Sequence, residues 1–293
     1  MASDKIGYNY HENVEITKEI KDDFEKKGYL VIRNLFSDKE IATLEKFLAD
    51  QNFFKKRYEI EGPNENVGII VWNHPGDDLT GWMARCHRVV NAVEKLLEGE
   101  VYHYHSKIIM KDPREGGRFQ WHQDYGYWYN NGLMFPNLIT VSIAMDAANR
   151  KNGCIQVLEG SHRMGRVHHT VVLSQAAVEE ERLEWAKKLF PHVYLETQPG
   201  DAIFLHCNVL HSSSPNTSDK KRHCFVCCYN RMDNDPMVKH HHPNATKLHK
   251  VPDDIILNKE SPDVSWETKD FLFQGFKHLA MDTLTESEQK AKD

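Results

Sequence analysis

Phe119-Gln120-Trp121-His122-Gln123-Asp124 contains the one His in this chain that is followed two residues later by an acid. In a strand, residues i and i+2 project to the same face. An imidazole and a carboxylate at this spacing therefore point together, close enough to share a metal ion. Two His and one carboxylate on one face of Fe(II) leave positions open for a co-substrate and O₂. The bland alternative is a hydrogen-bonded His–Asp pair in a core. Short motifs of this kind arise often by chance, and this chain has 18 His and 43 Asp plus Glu. The decision falls on the sequence around the motif.

From Val101 onward the chain reads as short strands separated by Gly/Pro turns. Val101 to Met110 is followed by the loop Lys111 to Gly117 and then by the His-x-Asp strand. Tyr125 to Asn137 reads as an aromatic loop, and Leu138 to Met145 as an apolar strand. Asn152-Gly153 has the composition of a hairpin turn before the strand Cys154 to Leu158. Ser174 reads as the cap of a helix through Phe190. Val193 to Leu195, Ala202 to His206 and Cys224 to Tyr229 complete the strands. Helices belong mainly to the front. Ile16, Ile20 and Phe24 recur every four residues before Gly28. Ser37 and Glu40 form a capping box, and one helix is expected from Thr80 to Leu97.

The expected fold is thus mainly β with flanking α-helices, a jelly roll of cupin-like type. One domain over residues 1–293 is expected. It comprises a helical flank to about 100, a jelly-roll core over about 101–232 and a C-terminal extension over about 233–293, whose last ten residues are charged and frayed.

A composition of 40% hydrophobic and 27% charged residues is that of a soluble globular chain. A net charge of −6 argues against a phosphate-backbone binder, so no nucleic acid is expected as a partner. No apolar run reaches membrane-spanning length, and the N-terminus lacks a secretory h-region. The six Cys lack the spacing of a secreted framework. Reduced thiols and a cytoplasmic location are expected, with Cys224-x-x-Cys227 as buried thiols in a strand.

The third ligand must come from Phe204-Leu205-His206-Cys207-Asn208-Val209-Leu210-His211. His206 and His211 differ in parity along a strand, and periodicity does not choose between them. At this point the chain resembles the phytanoyl-CoA dioxygenase family. The likeness rests on His122-x-Asp124, Asn152-Gly153-Cys154, Gly160-Ser161-His162, Pro199-Gly200-Asp201 and His211-x-Ser213-x-Pro215-Asn216 followed by Arg222. It spans about Gly28 to Met232. Ser106-Lys107-Ile108 before Phe119-x-Trp121-His122 is locally similar to the ectoine hydroxylase subfamily. Glu159 departs from the family's Pro before Gly-Ser-His. Ile109 stands where that subfamily has an Asn beside the co-substrate.

The resemblance implies a double-stranded β-helix and an oxygenase that uses Fe(II), 2-oxoglutarate and O₂, with ascorbate in support. It implies that His122, Asp124 and His211 bind the metal. It also implies that Arg222, assisted by Ser213 and with Phe119 beside them, binds 2-oxoglutarate. Arg suits that task because its planar fork matches a carboxylate and Lys does not. Relatives that halogenate lack the carboxylate ligand; the presence of Asp124 favours hydroxylation of a small-molecule substrate.

Trp128 matches a substrate-contacting Trp of ectoine hydroxylase, and Tyr125 and Lys107 are further candidates for the substrate wall. His240-His241-His242 reads as a surface string, and His103, His105, His168 and His169 as core or surface residues. A zinc hydrolase is the competing enzyme class; it also uses three ligands and an open position but gives Arg222 no task. A non-catalytic metal-binding jelly roll is the third reading. Substrate identity and oligomeric state stay open.

Overall fold

The structure is a computed structural model and describes residues 7–10, 15–62, 65–173 and 175–272. The expected fraying of the last ten residues lies outside them.

The front of the chain alternates strands and helices. A short strand β1 (Tyr8–Asn9) precedes helix α1 (Lys18–Lys27), which Thr17 caps and Gly28 ends, and strand β2 (Tyr29–Arg33) follows. Helix α2 (Asp38–Asp50) starts on the expected capping box, in which the Ser37 hydroxyl accepts from the Glu40 N–H and the Glu40 carboxylate accepts from the Ser37 N–H. The hairpin β3 (Tyr58–Gly62) and β4 (Glu65–Trp72) comes next.

Where one helix was expected from Thr80 to Leu97 there are two, α3 (Leu79–Arg85) and α4 (His87–Leu97). Cys86 between them is extended and bridges to Val251, whose backbone bonds to both Arg85 and His87. A distant segment thus breaks the helix where no local residue would.

The core elements are β5 (Val101–Lys111), β6 (Phe119–His122), a short helix α5 (Asp124–Trp128), β7 (Leu138–Ala144) and β8 (Ile155–Leu158). Then come β9 (His169–Val172), β10 (Gln175–Val178), α6 (Glu180–Leu189), β11 (His192–Leu195), β12 (Ala202–His206), β13 (His211–Ser213) and β14 (Arg222–Arg231). Helix α7 (Ile255–Asn258) and strand β15 (Phe271–Leu272) close the described chain. The helix expected from Ser174 begins only at Glu180. Ser174 is outside the described residues, and Gln175–Val178 pairs with His169–Val172 instead. Asn152-Gly153 does not make a hairpin, because the strands on either side, β7 and β8, belong to different sheets.

Two sheets face each other. The larger runs β1-β2-β12-β7-β14-β5-β4-β15, with β3 also on β4; the smaller runs β11-β8-β13-β6. This is the jelly-roll, double-stranded β-helix arrangement. Side chains alternate across the larger sheet. Ile139, Val141, Ile143, Phe225 and Cys227 pack outward on the helices, while Thr140, Ser142, Cys224, Val226 and Cys228 turn inward. The segment after Arg231 folds back over the helical side, where Ile256 and Val264 join the core.

Candidate metal and co-substrate site

Between the sheets lies a cavity. Its walls are Lys107 and Ile109 of β5, Phe119 and His122 of β6, Asp124 of α5 and Thr140 and Ser142 of β7. His211, Ser212 and Ser213 of β13 and Arg222, Cys224 and Val226 of β14 complete most of the lining.

His122 and Asp124 project toward one another, although Asp124 is not in the strand. It opens α5, but Gln123 before it is extended (φ −108°, ψ 136°), so the alternation of side chains carries one residue past β6. His211 lies opposite His122 across the β13–β6 ladder. His122, Asp124 and His211 bring one donor atom each to within 4.8 Å of one another, the one such cluster among the described residues. His122 Nε2 lies 3.6 Å and His211 Nε2 3.9 Å from Asp124 Oδ1.

In both rings Nδ1 is bonded to a backbone carbonyl, Gln120 at 2.7 Å and Val209 at 3.0 Å. A carbonyl can only accept, so Nδ1 carries the proton and the Nε2 lone pairs face the cluster. On Asp124, Oδ2 accepts from the Thr140 hydroxyl at 2.6 Å and Oδ1 from the Tyr127 hydroxyl at 3.2 Å. Burial pushes the Asp124 carboxyl up. The field of His211, the His122 hydrogen bond and Lys107 outweigh it and hold the group well below the ordinary carboxylate range. Burial, with the neighbouring His122, lowers His211 to about 4. The donor set is two imidazoles that turn Nε2 to the cluster and one carboxylate, which suits a divalent iron.

His206, the other candidate, is elsewhere. It packs on Phe24 and His162, and its Nδ1 accepts from the Asn208 N–H at 3.0 Å.

Arg222 is 4% exposed, lines the cavity, and has no ion-pair partner among the described residues. A buried guanidinium without an anion is costly, so this position calls for one from outside the chain. Beside it, Lys111 donates to the Ser213 hydroxyl at 2.7 Å and to the Ser214 carbonyl at 2.5 Å. Ser213 thus accepts from Lys111, so its O–H is not directed at the ammonium. Asn216 fixes this end by donating to the carbonyls of Lys111, Asp112 and Lys220. Gly153 (φ +78°) belongs here too: a Cβ on it would lie 2.1 Å from the Ser214 carbonyl.

Phe119, Ser213 and Lys107 line the cavity with the triad and Arg222. Trp128 and Tyr125, expected on the substrate wall, do not. Trp128 is fully buried behind it, edge-on to Tyr104 and Tyr127, and the Tyr125 hydroxyl donates to the Leu133 carbonyl. His240-His241-His242 is no free surface string either. His242 is buried, stacks on His105 and bonds to Asn73 Oδ1.

Sequence reasoning missed Thr140, Ser142 and Lys111, and it saw Tyr127 only as part of the aromatic run after Asp124, not as a donor to that carboxylate. A signal existed for three of them. Thr140 and Ser142 are the polar residues on one parity of an apolar strand, and Lys111 shares the parity of Lys107.

A second set of bonds stitches the ligand strands together. The Gln123 N–H donates to His169 Nε2 at 2.8 Å. Its side-chain amide donates to the Gly165 and Asn208 carbonyls, and its Oε1 accepts from the Val167 N–H. The Leu210 N–H, next to His211, donates to the Ser161 hydroxyl at 2.9 Å.

Comparison with known proteins gives a consistent picture. The family model described as Phytanoyl-CoA dioxygenase (PhyH) matches residues 24–224. The chain is 28% identical over 229 residues to an L-proline trans-4-hydroxylase of Streptomyces griseoviridis, covering 72% of this chain and 85% of that one. It is also 28% identical over 228 residues to an ectoine dioxygenase of Bordetella parapertussis, covering 72% and 74%. Among solved structures, EctD from S. alaskensis with 2-oxoglutarate and 5-hydroxyectoine superposes with a TM-score of 0.68 at 21% identity, over 85% of this chain and 93% of that one. At that identity the superposition speaks for the fold alone.

Proposed function

The chain belongs to the phytanoyl-CoA dioxygenase family, and from that premise we propose that His122, Asp124 and His211 hold its iron while Arg222 and Ser213 anchor 2-oxoglutarate. The protein is an Fe(II)- and 2-oxoglutarate-dependent dioxygenase that hydroxylates a small organic substrate. When bound, the metal, 2-oxoglutarate and O₂ supply the oxidation, in which one oxygen atom goes to the substrate and the other to succinate as CO₂ leaves.

The residues orient that chemistry. His122 Nε2, His211 Nε2 and Asp124 Oδ1 would hold the metal, and the cavity they line would take co-substrate and substrate. Arg222 faces the same cavity from its own strand, and its fork suits the distal carboxylate. Thr140 and Tyr127 donate to Asp124 and fix the orientation of its carboxylate. Phe119 and Ile109 supply an apolar wall. Trp128 and Tyr125 support the substrate side from behind. The relatives named above are a proline hydroxylase and an ectoine dioxygenase, and a small, compact substrate is the class this reading takes.

The observation that carries this reading is the convergence of two imidazoles and a carboxylate in one cavity with a buried guanidinium that has no ion-pair partner among the described residues. A zinc hydrolase gives the guanidinium no partner.

Iron titration of variants tests it. His122→Ala and His211→Ala are expected to lose Fe(II) binding and succinate formation and to keep the barrel fold, whereas His206→Ala keeps both activities. Full succinate production by His211→Ala would sink the assignment. So would a wild-type chain that, given Fe(II), ascorbate and O₂, forms no succinate from 2-oxoglutarate.

A further inference from the structure

The Tyr127 hydroxyl donates to Asp124 Oδ1 at 3.2 Å. That oxygen is the one His122 Nε2 and His211 Nε2 approach, at 3.6 and 3.9 Å, so it is the oxygen a metal held by the triad would take. Tyr127 is thus one hydrogen bond from a ligand atom. A carboxylate can only accept, so the phenol keeps its proton in this bond. The Tyr127 ring lies 6.4 Å from that of His122 and is inclined to it by 33°.

The other rings around the site are placed differently. Trp128 is fully buried and meets Tyr127 edge-on at 5.8 Å, with Tyr104 also against it. The Tyr125 hydroxyl is turned to the Leu133 carbonyl. Phe119 is also 6.4 Å from the His122 ring, but it pairs with Ser213 across the β13–β6 ladder, at the end assigned to 2-oxoglutarate. Of these four rings only Tyr127 is hydrogen-bonded to the triad.

An oxidising site protects its own walls by presenting a substrate bond to the oxidation and by excluding competing reactions. With metal, 2-oxoglutarate and O₂ bound and no substrate present, the C–H bonds within reach are those of the walls. A phenol ring is electron-rich at the carbons beside and opposite its hydroxyl. In Tyr127 the opposite carbon carries Cβ. That leaves Cε1 and Cε2, which flank the oxygen tied to Asp124.

We propose that Tyr127 is a site of self-modification, hydroxylated at Cε1 or Cε2 under the direction of its own hydroxyl when turnover runs without a substrate. This rests on the oxygenase reading. One ring C–H becomes C–OH, and the residue becomes a catechol. One atom of O₂ enters the ring and the other enters succinate. 2-Oxoglutarate loses CO₂ and gives up two electrons, and the ring C–H bond gives up two more. The modified side chain then carries two adjacent oxygens beside Asp124, a pair able to chelate a metal.

The test incubates the full chain with Fe(II), 2-oxoglutarate and O₂ and no added substrate, and measures both succinate and the masses of the peptides. The expected result is a gain of one oxygen on the peptide that carries Tyr127, located at that residue by fragmentation and identified as dihydroxyphenylalanine after hydrolysis. Zn(II) in place of Fe(II) is expected to give no gain. Tyr127→Phe is expected to gain oxygen at this position about tenfold less per succinate formed, and that ratio separates a lost target from a lost activity. Succinate without oxygen on Tyr127 overturns the proposal, as does oxygen found chiefly on Trp128, Tyr125 or Phe119. An equal gain per succinate in Tyr127→Phe, or an equal gain with Zn(II), overturns it too. A chain that forms no succinate sinks the oxygenase reading beneath it, not this step alone.

Discussion

Arg222 and Asp124 bring opposite charges into one cavity and meet burial differently. Asp124 is compensated by the chain itself, through Thr140, Tyr127 and the two imidazoles. Arg222 is not, and this asymmetry marks it as a receptor for an external anion. Removing one member of a buried charge pair costs about 3–5 kcal/mol, because the other charge is left unpaired. Arg222→Ala is therefore expected to raise the 2-oxoglutarate requirement by on the order of a hundredfold or more. Arg222→Lys keeps the charge, loses the fork and raises it less. Iron binding survives in both, since Arg222 is not a ligand. Succinate formed against 2-oxoglutarate concentration in the three proteins decides the matter; an Arg222→Ala curve that tracks wild type removes the co-substrate anchor.

At the scale of elements, the ligands sit on three short pieces, the end of β6, the start of α5 and the start of β13. None is long enough to hold an angle by itself. The segment Ser161–His169 supplies what they lack. It accepts the backbone N–H just before each of Asp124 and His211, and grips the Gln123 amide from both sides. Gly126 allows this, since a Cβ there would lie 2.1 Å from the His169 ring. Outer partners of a metal site typically contribute about 10–100-fold to metal affinity. Gln123→Ala removes three buried bonds and is expected to weaken Fe(II) binding by about tenfold or more, with all three ligands intact. Equal iron titration curves for Gln123→Ala and wild type would reduce the clamp to packing.

At the scale of the whole molecule, several histidines that are not metal-ligand candidates are buried as neutral rings. Burial lowers His103, His169 and His206 to about 3. Unfolding restores them to about 6.5, so between these values the unfolded chain binds more protons. Stability is then fully present above about pH 6.5 and is lost as pH falls toward 3. At pH 5 each ring withdraws up to about 2 kcal/mol. The melting temperature is expected to fall on going from pH 7 to pH 5, and His206→Gln to fall less steeply. A melting temperature flat over that range would show that the rings are not held neutral. Among the described residues no helix is long and apolar enough to cross a membrane.

Local patterns determined much of this protein. The capping box at Ser37, the apolar alternation of β7 and β12, and the same-face spacing of His122 and Asp124 all depend on neighbours within a few residues, which a sequence displays. The choice of His211 and Arg222 was legible only through resemblance, because parity along one strand does not say which face meets another strand. Tertiary structure decided the rest. Val251 broke the helix at Cys86, and pairing with His169–Val172 turned Gln175–Val178 into a strand. The packing of Tyr104 against Trp128 withdrew that ring from the cavity. The packing of the two sheets left Arg222 without an acid of its own among the described residues. Each of these outcomes is set by a contact between residues distant in the chain, and a pattern confined to near neighbours carries no record of such contacts.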